Sequence, residues 1–286
     1  MSVRLIDGLA EFAPDYQGFI VDLWGTVHDG ARPYAGVVDA LRQLRRSGIQ
    51  VVMLSNAPRL SVRVRKVLQR IGIGDDLYGA VVTSGDATRD AVAANADMSA
   101  QRYYHLGPEA DEGLLDGLPT SRVDTIEDAD FLLVTGLLSS DDQVEAHEAL
   151  LRRAATRGLI MLCANPDVIV LRTGVRELCA GALAQRYEAL GGHVEYWGKP
   201  YGHVYDTCLS KFDGLDRQRI IAVGDGLHTD IAGAQAAGID SLLITGGLLA
   251  DSWGTPSEAP PDPGRLADSC REAAVAPIAA MARFVW

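Results

Sequence analysis

FIVDLWGTVHDG, residues 19–30, runs three apolar side chains into a carboxylate at Asp22 and then breaks at Gly25-Thr26. A buried strand that ends in an acid and turns at a glycine is the form a catalytic strand tip takes. A nucleophilic Asp22 calls for a partner acid two residues on, but that position holds Trp24.

Outward from this stretch, short apolar runs alternate with amphipathic segments. The runs are 19–21, 49–54, 80–82, 103–106, 131–134, 159–163, 220–223 and 242–244. Between them Val37, Leu41 and Leu44 keep helical spacing, as do Leu60, Val64, Val67 and Ile71, and Tyr205, Cys208 and Phe212. Gly48, Gly72, Gly158 and Gly238 each follow such a segment, where a left-handed cap ends a helix. Strand–helix alternation with nearly continuous apolar strands predicts an α/β fold, a doubly wound parallel sheet covered on both faces. Such sheets bind ligands beyond the carboxyl ends of their strands. That edge receives Asp22, Ser55-Asn56 and Asp225 from three separate runs.

Residues 85–196 carry a strand and helix alternation of their own and read as an inserted α/β domain, leaving 1–84 and 197–286 as the core. Residues 250–265, DSWGTPSEAPPDPGR with its preceding alanine, are proline-rich and read as a surface loop. The alanine-rich segment from Leu266 to Phe284 reads as a closing helix.

A formal net charge of -12 over 286 residues repels a phosphate backbone, so nucleic acid is not an expected partner. Cys163, Cys179, Cys208 and Cys270 form no CxxC pair and read as reduced thiols. The opening MSVRLIDGLAEF has no apolar signal core, and no run approaches the roughly 20 apolar residues of a membrane span. The expectation is a soluble cytoplasmic protein with no membrane partner.

In IIAVGDGLHTDIAGAQAAGI, residues 220–239, a strand ends in Gly224-Asp225 and Asp230 opens an alanine-rich helix. Two carboxylates five apart across a strand-to-helix turn suit a hard cation such as Mg²⁺, which prefers oxygen ligands. A helix cap is the other reading of Asp230.

Together, Asp22 with Gly25-Thr26, Ser55 after an apolar strand, Lys199 in Gly198-Lys199-Pro200, and Gly224-Asp225 with Asp230 resemble the four motifs of the haloacid dehalogenase superfamily. Their order and spacing match along nearly the whole chain. The insertion resembles the C2-type cap. Thr83-Ser84, Asn165-Pro166-Asp167 and Cys179-Ala180-Gly181-Ala182 resemble the class IIA subgroup of 4-nitrophenylphosphatase-like, sugar and nucleotide phosphatases.

The resemblance implies a Rossmann-like core and a Mg²⁺-dependent hydrolase of a small phosphorylated metabolite, with a homodimer as a further expectation. Asp22 would form an aspartyl-phosphate. The ion would be held by Asp22, Asp225, the backbone carbonyl of Trp24, and Asp230 directly or through water. Ser55 and the Asn56 amide would bind phosphate oxygens, and Lys199 would offset charge between nucleophile and phosphoryl group. Phosphoryl transfer needs just such positioning and neutralisation.

Members of this superfamily usually carry an acid–base aspartate where this chain has Trp24, and indole cannot transfer protons. That help is worth about 10² to 10⁴ in rate. Three readings stay open. His28, with Asp29 beside it, could substitute; the substrate could have a leaving group that needs no acid; or the chain could be a phosphate-ligand-binding protein with weak turnover. In the insertion, Asn165 and Asp167 are candidates for the substrate pocket, and Arg172 and Arg176 for contacts to an anion; each has an ordinary turn or surface reading as well.

Overall fold

Phe19 and Val21 belong to one hydrophobic cluster and Ile20 to another, and the same split holds for Val51 and Met53 against Val52 and Leu54, and for Ile221 and Val223 against Ile220 and Ala222. Successive strand side chains point to opposite faces. Both faces are therefore covered, which is why these runs are apolar without alternation.

The computed structural model describes residues 3–286. In chain order its strands are β1 (Arg4–Leu5), β2 (Gly18–Asp22), β3 (Gln50–Ser55), β4 (Ala80–Thr83), β5 (Arg102–Leu106), β6 (Ser121–Val123), β7 (Phe131–Val134), β8 (Ile160–Cys163), β9 (Ile169–Arg172), β10 (Val175–Leu178), β11 (His193–Tyr196), β12 (Ile220–Gly224), β13 (Asp240–Ile244) and β14 (Ala279–Met281). A seven-stranded sheet has the order β1-β14-β13-β12-β2-β3-β4, and a five-stranded sheet the order β11-β8-β7-β5-β6. Every pairing within these two sheets is parallel. The first sheet is the Rossmann-like one; the second takes its strands from residues 102–196.

The helices Val37–Arg46, Ser61–Arg70 and Gly202–Leu209 stand where apolar spacing predicted them. Gly48, Gly72, Gly158 and Gly238 all have positive φ.

Two readings are corrected. The C-terminal segment is not a closing helix: a helix spans Pro263–Glu272, and after Pro277 the chain enters the large sheet as β14, between β1 and β13. Proline cannot continue a helix. Ala279 and Ala280 are fully buried, and their small side chains let this strand fit under its covering elements. The stretch 250–265 is loop only in its middle, because Leu248–Trp253 and Pro263–Glu272 are helical at its ends. Asp262 caps the second of these, accepting from the Arg265 amide at 2.8 Å, with Pro263 at the first helical position.

A β-hairpin, β9–β10, was not anticipated. Its turn residues Thr173 and Gly174 have φ of 49° and 81°, the left-handed pair of a tight hairpin turn. Thr-Gly between IVLR and VREL was the available signal. The Thr173 amide donates to the Asp29 carbonyl at 3.1 Å, so the hairpin tip rests on the loop after β2. Among the described residues, no helix is long and apolar enough to cross a membrane.

Candidate active site

Strand β2 lies between β12 and β3, so Asp22, Asp225 and Ser55 emerge side by side at the carboxyl edge of the sheet. Asp230 joins them from a π-helical turn, Leu227–Ile231, that precedes the helix Ala232–Ala237. The helical segment thus starts three residues before Asp230. The Asp230 side chain folds back to accept the Gly226 amide at 3.0 Å, so the carboxylate braces its own turn while facing the site.

Lys199 arrives on the loop between β11 and Gly202–Leu209. Its Nζ donates to Asp22 Oδ1 at 2.5 Å and to Asp230 Oδ1 at 2.8 Å. Asn56 fixes the lysine backbone. The Lys199 amide donates to Asn56 Oδ1 at 2.7 Å, and Asn56 Nδ2 donates to the Lys199 carbonyl at 3.2 Å. The same Nδ2 donates to Asp167 Oδ1 at 2.8 Å. Sequence reasoning gave Asn56 only a backbone role; its carboxamide ties positions 56, 167 and 199 together.

Three carboxylates and one ammonium in a buried site are electrostatically unbalanced. Burial pushes Asp22 well above the usual carboxylate range; Lys199 opposes this, and Asp230 and Asp225 add to it. Burial, with Asp230 next, pushes Asp225 up to about 7. Burial works against the Lys199 ammonium too, but Asp22, Asp230 and Asp167 outweigh it and hold the lysine protonated.

A divalent cation fits this donor set. Asp22, Asp225 and Asp230 each offer an oxygen, all within 4.8 Å of one another. Asp22 Oδ2 is buried with no hydrogen-bond partner. Among the described residues the Trp24 carbonyl accepts no hydrogen bond either. Such orphans are costly unless a ligand satisfies them. Oxygen donors of this kind suit a hard ion. The surroundings are tight: a Cβ on Gly25, whose φ is 80°, would lie 2.1 Å from Asp225 Oδ2. The Leu248 amide holds that oxygen at 3.0 Å.

The remaining candidates divide. The Ser55 hydroxyl is buried and accepts the Ala57 amide at 3.2 Å; Asn56, not Ser55, lines the cleft at the carboxylates. That cleft holds about 30 Å³ and opens beside a chamber of about 450 Å³. Trp24, Asp167 and Val170 line both spaces. Asn165 and His28 line the chamber alone. His28 packs edge-on against Trp24 with ring centres 4.9 Å apart, and its Nδ1 accepts the Gly30 amide. Burial pushes its pKa down to about 4, so it is a neutral imidazole and a poor proton donor. Arg172 stacks over Trp24 and pairs with Glu177, while Arg176 pairs with Asp251; neither is a free cation.

Comparison with known proteins agrees with this geometry. Residues 19–118 match the family described as haloacid dehalogenase-like hydrolase, and residues 196–273 match the HAD-hydrolase-like family. A crystal structure of a haloacid dehalogenase-like hydrolase from Brucella suis 1330 is 32% identical, with a TM-score of 0.85, over 98% of this chain and 100% of that one. The D-glycerol 3-phosphate phosphatase of Mycobacterium tuberculosis is 28% identical over 84% of this chain and 66% of its own length. The glycerol phosphate phosphatase of that organism, solved in complex with magnesium, is 25% identical with a TM-score of 0.65, over 89% of this chain and 77% of that one. The chain belongs to the haloacid dehalogenase-like hydrolase family.

Proposed function

We propose that this hydrolase is a Mg²⁺-dependent phosphatase that cleaves a small phosphorylated metabolite through an aspartyl-phosphate on Asp22. The observation that carries the reading is the convergence of Asp22, Asp225, Asp230 and Lys199, separated by up to 208 positions (230 − 22), on one buried cleft. The phosphatase named among the relatives supports the reaction type.

Asp22 attacks phosphorus as the ester bond breaks, and water then attacks the aspartyl-phosphate to release phosphate and restore the carboxylate. Splitting hydrolysis this way replaces one hard step by two easier ones. Lys199, seated by Asn56, offsets charge between the carboxylate and the phosphoryl oxygens. The Ser55 hydroxyl and the backbone amide of Asn56 bind phosphate oxygens. Magnesium, held by Asp22, Asp225, Asp230 and the Trp24 carbonyl, supplies Lewis-acid neutralisation of the phosphoryl group when bound. The small cleft takes the phosphoryl group, and the chamber takes the organic part of the ester.

The test is hydrolysis of 4-nitrophenyl phosphate with Mg²⁺, for the wild type and for Asp22→Asn. The expected result is turnover in the wild type, reduced about 10⁴-fold or more in the variant. Wild-type turnover no higher than that of the variant, with retained phosphate binding, overturns the enzyme reading in favour of a phosphate-binding protein, which Trp24 alone would suit.

A further inference from the structure

The ester oxygen that must be protonated sits where the phosphoryl cleft meets the leaving-group chamber. Three residues border both spaces: Trp24, Asp167 and Val170. Only one of them can carry a transferable proton. Resting on the phosphatase reading above, we propose that Asp167, on the loop between β8 and β9, is the general acid and base of the reaction, doing the work that Trp24 cannot.

The other carboxylates in the chamber wall are paired with arginines. Asp111 is paired with Arg59 at 2.6 Å and Glu177 with Arg172 at 2.8 Å. His28 uses Nδ1 to accept the Gly30 amide. Asp167 has no arginine partner among the described residues. Its Oδ1 accepts Asn56 Nδ2, its backbone amide donates to Asn165 Oδ1 at 3.1 Å, and no donor among the described residues reaches its Oδ2. Asp167 also stands outside the three carboxylates that suit the metal. One oxygen is therefore held for orientation and the other is left for a proton. Burial raises the pKa of this carboxyl above the usual range, against the pull of Lys199 and of the Asn56 hydrogen bond, which favours a proton donor near neutrality.

The proton balance closes over two steps. In the first, the Asp22–phosphorus bond forms and the phosphorus–ester oxygen bond breaks. The Asp167 proton passes to that oxygen, so the leaving group departs as a neutral alcohol and Asp167 remains a carboxylate. In the second, Asp167 takes a proton from the water that attacks phosphorus. Phosphate leaves, Asp22 is restored, and Asp167 is again protonated. Acid help matters most for an alkyl ester, whose alkoxide is a poor leaving group, and least for an aryl ester that departs as a stable phenolate.

Asp167→Asn keeps an acceptor for Asn56 and removes only the proton. Its kcat/KM, which reports steps up to loss of the leaving group, is compared with wild type on glycerol phosphate and on 4-nitrophenyl phosphate. The expected drop is about 10² to 10⁴ on the alkyl ester and at least about tenfold smaller on the aryl ester. With the aryl ester, the variant should also release a burst of nitrophenolate and accumulate acid-stable phosphate on Asp22, because the base for the second step is gone. An equal drop on both esters, in a variant whose melting temperature and phosphate binding match wild type, assigns Asp167 a structural role and overturns the proposal. So does no drop on either ester. A variant that does not fold is replaced by Asp167→Glu, which should retain the wild-type leaving-group dependence; a dependence altered as in a lost acid overturns the proposal as well. Absence of wild-type turnover on the aryl ester is a different failure, that of the phosphatase reading itself, and Asp167 then has no reaction to serve.

Discussion

The guanidinium carbon of Arg172 lies 4.7 Å from the centre of the Trp24 ring. The arginine comes from the β9–β10 hairpin and the indole from the loop two residues past Asp22, so this stack joins the hairpin to the tip of β2. Glu177 holds the guanidinium from the other hairpin strand at 2.8 Å. A cation over an indole face contributes about 0.5–1 kcal/mol at an exposed site. Arg172→Ala should loosen the hairpin wall of the chamber and raise KM about two- to fivefold, the equivalent of that energy. Steady-state kinetics check this; an unchanged KM would mean that the hairpin is held by the Thr173–Asp29 backbone contact without help from the stack.

Trp24→Asp installs the acid–base carboxylate that the motif resemblance leads one to expect at this position. If Asp167 already moves the proton, the single change should not raise the rate on an alkyl phosphate, and loss of the Arg172 stack should lower it. In an Asp167→Asn background the same change should recover about tenfold or more, since a second acid then has work to do. The measurement is kcat/KM of the two single variants and the double variant on glycerol phosphate.

Lys199→Met removes the ammonium that sits between Asp22 and Asp230. Breaking a buried pair on one side costs about 3–5 kcal/mol because the partner charge is left uncompensated. The variant should be inactive, and without metal it should melt well below wild type at neutral pH. Mg²⁺ should recover part of that loss, because a cation can neutralise the same carboxylates. Calorimetry with EDTA and with Mg²⁺ separates the two states.

The metal-free protein should lose stability as pH rises. Burial and Asp230 hold Asp225 near 7 in the folded chain, above its unfolded value near 4, so the native state binds the extra proton between those values. The associated stability is fully present below about pH 4 and is lost as pH climbs through about 7. With EDTA, the melting temperature at pH 8 should be lower than at pH 6, and Asp225→Asn should flatten the slope. Saturating Mg²⁺ at about 100 times its dissociation constant should add about 2.7 kcal/mol. A wild-type slope unchanged in Asp225→Asn would place the titration elsewhere.

Asp22, Ser55 and Asp225 were legible because each follows an apolar run and because parallel strands send their ends to one edge, whereas Lys199 stood out only through the resemblance of the four motifs together. The eight apolar runs became eight strands for the same reason. What local signals do not carry is pairing at a distance. The Asn56 carboxamide meets partners 111 and 143 positions away, and nothing in the residues around 56 announces them. The segment around Ala279 has helix-forming composition, yet its place between β1 and β13 is set by edges supplied from residues 4–5 and 240–244. Tertiary pairing there overrides propensity. The reach of Arg172 to Trp24 is out of view in the sequence because it depends on the β9–β10 hairpin, whose only local sign is Thr173-Gly174.

The amide of Asn56 has a consequence for exchange of parts between relatives. One side chain from the β3 tip grips both the lysine loop and the loop that bears Asp167. A foreign insertion grafted between residues 84 and 197 must therefore present an acceptor where Asp167 now lies. Without it, one amide hydrogen of Asn56 is stranded beside the bonds that hold the Lys199 backbone. With the Thr173–Asp29 contact, the Arg59–Asp111 pair and the Arg176–Asp251 pair, this carboxamide makes the parts of the chain a set that would have to be recombined together.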